Sequence, residues 1–291
     1  MKRRVVVTGL GVVSSIGIGK DEFWKNLVAG KSGISEITTF DTSDYPAHKG
    51  GEVKNFDPSK FIPENRLKKI GRASQFAIAA TKMALEDAAL DIEMIKNRRI
   101  GVIIGTTMAD VQSLEQADKY WIKNGEEDIW PINVQKYPAD NLYSQIGLFF
   151  GLKGPNFTIP TACSAGNYCI GLAFDLIKTG KIDIAIAGGA DPISRTNFVG
   201  FNRLFAMAPD KCQPFDKNRK GMMVGEGCGI VILEELEKAK RRNAGIYAET
   251  LGYGLSCDAT HMTAPQSTGM IKVMRKCRKF GTAYVQVLRH I

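Results

Sequence analysis

The sequence predicts an α/β fold in which helices cover both faces of a sheet. Short apolar segments with strand character alternate with segments of helical periodicity along most of the 291 residues. The strand segments are apolar almost throughout, and such strands are typical of a sheet that is buried on both faces. An apolar fraction of 44% with 24% charged residues is ordinary for a globular chain of one or two domains.

The elements follow from local patterns. Residues 73–90 give the clearest helix, because Phe76, Ala80, Met83 and Ala84 recur at helical spacing. Residues 30–63 are rich in Gly, Ser, Thr, Asp and Pro and predict a loop. The other predicted helices are 21–29, 142–150, 168–177, 234–242 and 270–279. The predicted strands are 5–7, 99–106, 157–159, 182–187 and 229–233.

Residues 8–11 read Thr-Gly-Leu-Gly and predict a turn after the first strand. This turn imitates the start of a dinucleotide-binding fingerprint. However, Ser14 stands where the third glycine is needed, and no acidic residue ends a second strand about 20 positions later. A dinucleotide-dependent oxidoreductase therefore ranks third among the possible functions.

Charge and apolar content argue against nucleic-acid and membrane roles. The net charge is +9, but six of the basic residues lie after Asp258, where the sequence has no acidic residue. The rest of the chain carries a net charge of only +3. A localised excess of this kind gives little support to nucleic-acid binding. No apolar run approaches the ~20 residues of a membrane helix, and the N-terminus lacks the pattern of a secretory signal. We expect a cytoplasmic protein.

The six cysteines contain no C-x-x-C pair and no histidine at a metal-binding spacing. We therefore expect reduced thiols and no metal site. Cys163 differs from the others because small residues surround it between the predicted strand 157–159 and the predicted helix 168–177. The N–H groups and dipole of a helix start favour the thiolate, which attacks carbonyl carbons. Cys163 is the predicted nucleophile and the thiol we expect to be most easily ionised and alkylated.

Several motifs in register resemble one known family. The segment 161–166, Thr-Ala-Cys-Ser-Ala-Gly, resembles the active-site motif of β-ketoacyl-acyl-carrier-protein synthases, the condensing enzymes of the thiolase superfamily. The resemblance extends from Arg4 to about Pro265 and includes further motifs in the family's order. These are residues 4–14, 187–191 (Ala-Gly-Gly-Ala-Asp), 214–216 (Pro-Phe-Asp), 225–229 (Gly-Glu-Gly-Cys-Gly) and 256–263.

The resemblance implies a thiolase-like fold, layered α/β with a mixed sheet, comprising the N-terminal pseudo-repeat and the start of the second. It implies a ketosynthase domain over residues 1–250, the start of the C-terminal half over 251–269, and a divergent tail over 270–291. The implied reaction is the decarboxylative Claisen condensation of an acyl thioester with malonyl-acyl-carrier protein, of the elongating type, in fatty-acid or polyketide synthesis. No cofactor is implied, because phosphopantetheine on the acyl-carrier protein holds the substrates.

The resemblance also carries roles onto individual residues. Cys163 is implied as nucleophile and as one backbone donor of the oxyanion hole. Met108, Phe201 and His261 match positions near the acyl pocket, although Met108 and Phe201 are equally compatible with core packing. Lys68, Lys69 and Arg72 match the region that docks the acidic acyl-carrier protein, although a charge run is as often a solvated face. Glu226 is interpreted as a structural carboxylate, and a homodimer is expected across the edge near residues 157–159.

The chain departs from the family pattern at its end. The second oxyanion donor and both catalytic histidines of the family lie in the second half. The histidines of this chain, His48, His261 and His290, stand in no His-Gly-Thr motif. His48 is predicted to be a surface residue. A tail without acidic residues that leaves the pattern within a helix is typical of a frameshift or premature stop. We therefore expect the 291-residue chain to be incomplete for condensation, although Cys163 can still be acylated.

A non-catalytic partner subunit of the chain-length-factor type ranks second among the possible functions. Such subunits usually lose the nucleophilic cysteine, and this chain keeps Cys163.

Overall fold

A computed structural model describes residues 3–96, 99–125, 131–261 and 264–278. The strands in this part of the chain are β1 (Val5–Ser14), β2 (Gly17–Ile18), β3 (Ser35–Glu36), β4 (Lys49–Gly50), β5 (Ile100–Gly105), β6 (Asn156–Ile159), β7 (Ile184–Asp191), β8 (Gly227–Glu235) and β9 (Ala248–Thr250). The helices are α1 (Lys20–Val28), α2 (Glu64–Leu67), α3 (Arg72–Asp87), α4 (Ile92–Ile95), α5 (Val111–Asn124), α6 (Pro131–Lys136), α7 (Asn141–Phe150), α8 (Ala165–Lys178), α9 (Arg195–Arg203), α10 (Leu236–Arg241) and α11 (Ser267–Arg278).

Within the described residues, seven strands form one mixed sheet in the order β2-β1-β8-β7-β5-β6, with β9 also paired to β1. Strand β5 runs parallel to β6 and to β7, with Val102 opposite Asn156 and Ile186. Strand β8 lies between β7 and β1 and runs antiparallel to both. The predicted α/β fold with a mixed sheet is confirmed.

One helix covers the centre of each face. Helix α3 packs on β1, β8 and β7, and α8 packs on the other face of β7 and β5. The strand residues alternate between the two cores. Ile104 and Ile186 are buried on the α3 side with Phe76, whereas Ile103 and Ala185 are buried on the α8 side. This period of two explains why the strands are apolar throughout: every position faces one core or the other.

The turn predicted at residues 8–11 is wrong, because β1 continues through them to Ser14. A Cβ on Gly11 would lie 1.8 Å from the Ala80 carbonyl oxygen, and one on Gly9 would lie 2.2 Å from the Ala84 carbonyl oxygen. The two glycines therefore let α3 approach the strand closely instead of turning the chain. The geometry of a dinucleotide fingerprint, a glycine turn that opens a helix, is absent from this segment.

Other elements differ in extent from the prediction. Strands β7 and β8 are longer than predicted, and α5 and α9 lie where no element was predicted. The loop 30–63 contains the β3–β4 pair and a 3₁₀ turn, Pro58–Lys60. The apolar residues of α1 do not face the core, since Leu27 and Val28 are exposed. Most of the predicted tail, residues 279–291, lies outside the described residues, and the division at 250 and 269 stays a prediction.

None of the helices in the described part of the chain combines the length and the apolar character that crossing a lipid bilayer requires.

Glycine 188 in β7 gives a test of this packing. A Cβ on Gly188 would lie 1.9 Å from the Gly229 carbonyl oxygen, so Gly188→Ala forces β7 and β8 apart. We expect the free energy of unfolding to fall by about 1–3 kcal/mol, the usual range for overpacking. Gly229→Ala is the matched control, since nothing lies within 4 Å of its Cβ position, and its effect should stay within about 0.5 kcal/mol. Urea denaturation followed by circular dichroism measures both, and equal effects would contradict this packing.

Candidate functional site

The parallel strands β5, β6 and β7 end at the same edge of the sheet. Their last residues are Gly105, Ile159 and Asp191. The segments that follow are the turn Thr106–Met108, the segment that leads to Cys163, and the loop before α9. Ligands of open α/β sheets bind outside the carboxyl ends of the strands. This carboxyl edge is therefore the candidate site, and it contains the predicted nucleophile.

Cys163 lies at the junction between β6 and α8. The chain leaves β6 at Ile159, makes a 3₁₀ turn over Ala162–Ser164 and enters α8 at Ala165. Ala162, directly before the cysteine, has φ 52°, in the left-handed region that residues other than glycine seldom adopt. Such backbone strain recurs at functional positions. Cys163 is exposed and lies at the N-terminal end of α8. At this end the backbone N–H groups lack intrahelical partners, and the helix dipole has its positive pole.

Glycines let the start of α8 lie directly on the strand ends. A Cβ on Gly105 would lie 2.3 Å from the Ala165 carbonyl carbon. A Cβ on Gly189 would lie 3.4 Å from the Gly166 Cα. Any larger residue at Gly105 would push the first turn of α8 away from the sheet. Gly105 therefore determines how closely the start of α8, and with it Cys163, approaches β5.

The other cysteines differ in exposure. Cys169, inside α8, is buried, and burial raises the pKa of its thiol to about 12. Cys228 in β8 is also buried, and both desolvation and the nearby Asp191 carboxylate raise the pKa of its thiol. These two thiols stay protonated near neutral pH. Cys257 is exposed, and Cys212 and Cys277 are partly exposed.

Asp191 holds the turn that follows β5. Its Oδ1 accepts hydrogen bonds from Thr106 Oγ1 at 2.8 Å, the Thr107 backbone N–H at 2.7 Å and the Met108 backbone N–H at 3.3 Å. Its Oδ2 accepts from Thr107 Oγ1 at 3.3 Å. Desolvation raises the pKa of this carboxyl, partly offset by the donated hydrogen bonds. Sequence reasoning missed this contact, although an Asp at one strand end and two threonines at the neighbouring end were visible signals.

Two of the three residues predicted near the acyl pocket, Met108 and Phe201, have different surroundings. Met108 lies at the carboxyl edge with 37% of its surface exposed. Phe201 lies on α9 and packs against a separate cluster around the fully buried Phe198. The structure thus places Met108 in the turn that is hydrogen-bonded to the last residue of β6, through the Thr106 N–H and the Ile159 carbonyl. It places Phe201 in an aromatic core. Their predicted roles in substrate binding stay predictions.

Glu226 is a structural carboxylate, as interpreted from the sequence. Its two oxygens accept from the backbone N–H groups of Val53 and Ile193, at 2.9 Å and 3.1 Å. They also form a bidentate pair with the Arg72 guanidinium, at 2.9 Å from Nε and 2.6 Å from Nη2. The carboxylate is completely buried in this network. Glu226 ties the start of α3 to the loop that follows β7.

The three cations predicted to dock a carrier protein therefore divide into two groups. Arg72 is turned inward to Glu226, donates to the Val53 carbonyl at 2.8 Å and lies over the Phe76 ring. Lys68 and Lys69 are exposed. These two lysines remain as candidates for contact with an acidic partner.

The histidines are placed as follows. His261 is exposed in the stretch between β9 and α11. His48 is half-buried, with Nδ1 3.2 Å from Thr42 Oγ1, and is thus less exposed than predicted. His290 lies outside the described residues, as do residues 262–263 of the predicted motif.

Comparison with known proteins assigns the family. The sequence-family model of the β-ketoacyl synthase N-terminal domain matches residues 2–239 of the chain. The chain belongs to the β-ketoacyl synthase family. It is 39% identical over 275 residues to 3-oxoacyl-[acyl-carrier-protein] synthase 2 of Synechocystis sp., and 38% identical over 273 residues to the protein of that name from Staphylococcus aureus strain COL. Each alignment covers 92% of this chain and 66% of the relative, so this β-ketoacyl synthase chain spans about two thirds of their length.

Solved structures of β-ketoacyl synthases share the fold. The ishigamide ketosynthase/chain length factor superposes with a TM-score of 0.92 at 41% identity, covering 95% of this chain and 69% of that one. A ketosynthase solved with a type II PKS acyl-carrier protein gives a TM-score of 0.85 at 31% identity, covering 96% of this chain and 70% of that one. The predicted thiolase-like ketosynthase fold is confirmed.

Alkylation tests the special position of Cys163. We expect limiting iodoacetamide to label Cys163 first, because it is exposed at the start of α8, and to leave Cys169 and Cys228 unlabelled until the protein unfolds. Peptide mass spectrometry measures the rate at each thiol, and labelling in denaturant shows that every thiol can react. The partly exposed Cys212 and the exposed Cys257 are the internal comparison. Faster labelling of either one in the folded protein would argue against Cys163 as the nucleophile.

Proposed function

We propose that the protein takes part in the decarboxylative condensation of acyl and malonyl thioesters, in fatty-acid or polyketide synthesis, and that Cys163 carries the acyl group. The observation that carries this proposal is the exposed Cys163 at the start of α8, after a residue in the left-handed region. The names of the relatives, 3-oxoacyl-[acyl-carrier-protein] synthase 2, support the same reaction. No cofactor enters the proposal.

In the first half-reaction, the Cys163 thiolate attacks the carbonyl carbon of an acyl thioester. The carbonyl oxygen of the tetrahedral intermediate becomes an anion, which the Cys163 backbone N–H stabilises. The intermediate then expels the phosphopantetheine thiolate, which takes up a proton. The products are an acyl group on Cys163 Sγ and a free carrier-protein thiol.

In the second half-reaction, a malonyl thioester loses carbon dioxide, and the electron pair of the broken bond attacks the acyl carbon on Cys163. A new carbon–carbon bond forms, and the Cys163 thiolate leaves. The product is a 3-oxoacyl thioester two carbons longer. The family resemblance assigns the two histidines that assist this step to the part of the relatives that the 291 residues do not span.

The test follows each half-reaction separately. With acyl-carrier protein as donor, we expect Cys163 of the 291-residue chain to gain the mass of the acyl group, slowly, and Cys163→Ala to gain none. On adding malonyl-carrier protein, any 3-oxoacyl product should depend on this acyl group and be absent in Cys163→Ala. Intact-protein and product mass spectrometry measure both steps. A chain that never acylates while its partner subunit does would favour the chain-length-factor alternative. Acylation or product formation at the same rate in Cys163→Ala would contradict the role of Cys163.

We also propose that Lys68 and Lys69 contact the acidic carrier protein. Their side chains are exposed, and paired charges of opposite sign accelerate and orient protein association. Arg72 is left out of this surface because its guanidinium serves the buried Glu226.

Charge reversal separates the two roles. Lys68→Glu with Lys69→Glu should weaken carrier-protein binding about tenfold or more, with a reduced salt dependence and unchanged thermal unfolding. Arg72→Ala should instead lower the free energy of unfolding by about 3 kcal/mol, because the Glu226 carboxylate is left buried without its cation. Surface plasmon resonance and urea denaturation measure the two effects. Unchanged carrier binding in the lysine variant would remove these residues from the interface.

We further propose that two ketosynthase chains pair along β6, the edge strand of the sheet in the described residues. Phe157 of β6 is 42% exposed. A groove of about 340 Å³ runs beside this edge, and Tyr143 and Asp140 of the α7 region line it together with β6. An exposed apolar edge strand is prone to pair with another strand.

Sedimentation tests the pairing. We expect a dimer at micromolar concentration and a shift to monomer in Phe157→Asp, which adds a charge at the strand edge. Trp24→Asp is the control, because Trp24 is an aromatic residue on α1 that is even more exposed than Phe157. Analytical ultracentrifugation of the three proteins measures the outcome. A folded wild-type monomer, or equal dissociation in both variants, would contradict the β6 interface.

A further inference from the structure

We propose that Asp191 is a positioning residue, which fixes the turn Thr106–Met108 and so sets how long an acyl chain can reach Cys163. The inference rests on the proposed function for its substrate, an acyl thioester, although its geometry stands by itself. Three observations carry it: the set of donors around Asp191, the contacts that join the turn to the Cys163 segment, and the exposure of Met108 at the same edge.

The donors around Asp191 all come from the turn. The carboxylate accepts the hydroxyls of Thr106 and Thr107 and the backbone N–H groups of Thr107 and Met108. No ion pair to Asp191 is found among the described residues. A half-buried carboxylate without a cation depends on its hydrogen-bond donors, so the turn and the carboxylate hold each other in place. The end of β7 thereby determines the conformation of a turn on β5.

A hydrogen bond also connects this turn to the segment that carries the nucleophile. The Thr106 backbone N–H donates to the carbonyl of Ile159, the last residue of β6, at 3.4 Å. Thr106 Oγ1 also accepts from the Ala109 N–H at 2.7 Å, and Ala109 has φ 50°. Gly105, just before the turn, touches the first turn of α8. A shift of the turn therefore changes the space between Met108 and the segment from β6 to α8 that carries Cys163.

Met108 is the most exposed residue of the turn and therefore the one that a ligand can reach. Thr106 is fully buried, whereas the Met108 side chain is 37% exposed at the edge where Cys163 is exposed. Methionine is flexible and fits irregular apolar groups such as an alkyl chain. The hydrogen bond from the Met108 backbone N–H to the Asp191 carboxylate holds Met108 in place. Without the carboxylate, the Met108 side chain is free to move and to open access to Cys163 for longer chains.

A series of N-alkylmaleimides measures this access without requiring any enzymatic activity. Each maleimide adds to the Cys163 thiol, and the alkyl tail varies from ethyl to dodecyl. Peptide mass spectrometry gives the rate at Cys163, and the readout is the ratio of the long-tail rate to the short-tail rate. A role confined to stability would lower the melting temperature and leave this ratio unchanged.

Four variants isolate the contact. Asp191→Ala removes all four hydrogen bonds, and Asp191→Asn keeps the Oδ1 acceptor that receives three of them. Thr106→Val attacks the same contact from the turn and conserves shape. Glu52→Ala is the matched control, since the Glu52 carboxylate holds another threonine pair, accepting from the N–H and hydroxyl groups of Thr38 and Thr39.

We expect the ratio of the long-tail rate to the short-tail rate to rise about tenfold in Asp191→Ala. A tenfold change is the size that the loss of one hydrogen bond to a charged group produces. Thr106→Val should change it in the same direction, and Asp191→Asn and Glu52→Ala should stay within about twofold of the wild type. An unchanged ratio in Asp191→Ala, or an equal change in Glu52→Ala, overturns the inference. If Asp191→Ala does not fold, Thr106→Val decides in the same way.

Acyl transfer distinguishes this inference from the proposed function. Acyl-carrier proteins loaded with C4 and C14 chains are offered to the same variants. Transfer to Cys163 with a chain-length preference that changes in Asp191→Ala supports both. A changed maleimide ratio without any acyl transfer supports the positioning role of Asp191 and rejects acylation. Acyl transfer with an unchanged preference and an unchanged maleimide ratio rejects only the positioning role.

Discussion

The contact between the first turn of α8 and the ends of β5 and β7 is the constraint on which the candidate site depends. It exists because residue 105 is glycine, since a Cβ there would lie 2.3 Å from the Ala165 carbonyl carbon, and Gly189 packs closely beside it. Close-packed interiors leave no room to move such an interface by the width of a methyl group. The position of Cys163 is thus determined by backbone packing in the centre of the sheet, while the thiol itself stays exposed.

Two buried carboxylates, Glu226 and Asp110, and the half-buried Asp191 hold the loops around this contact. Glu226 accepts from Val53, Arg72 and Ile193, and Asp191 accepts from the turn after β5. Asp110 does the same for α3: it accepts from the Ala73 N–H at 2.6 Å and from Ser74 Oγ at 2.5 Å. Each carboxylate joins segments that are distant in sequence. Removing one would leave several N–H groups without partners at once, which explains how irregular loops keep a fixed shape around the site.

The sequence predicted the elements whose signal is local and periodic. Helix α3 and strand β5 were found within a few residues, because helical spacing and a continuous apolar run report burial directly. The prediction of a turn at residues 8–11 was wrong because a pair of glycines fits both a turn and a close packing contact, and the local sequence does not distinguish them. Here the carbonyls of Ala80 and Ala84, some 70 residues away, occupy the space that a Cβ would need. A contact at that sequence distance leaves no mark in the local pattern.

The same limit explains which site residues the sequence found. Cys163 was identified because its neighbours in sequence are also its neighbours in space. Arg72 was grouped with Lys68 and Lys69 by sequence proximity, but the start of α3 directs its guanidinium to Glu226, 154 positions away. Asp191 was not singled out, since its partners lie 83 to 85 positions earlier in the chain. Position also outweighs residue type in α8. Cys169 lies six residues after Cys163, yet it faces the core, and desolvation there raises the pKa of its thiol to about 12. The chemistry of a cysteine in this fold therefore depends on whether the carboxyl edge or the core surrounds it, which the residue alone does not determine.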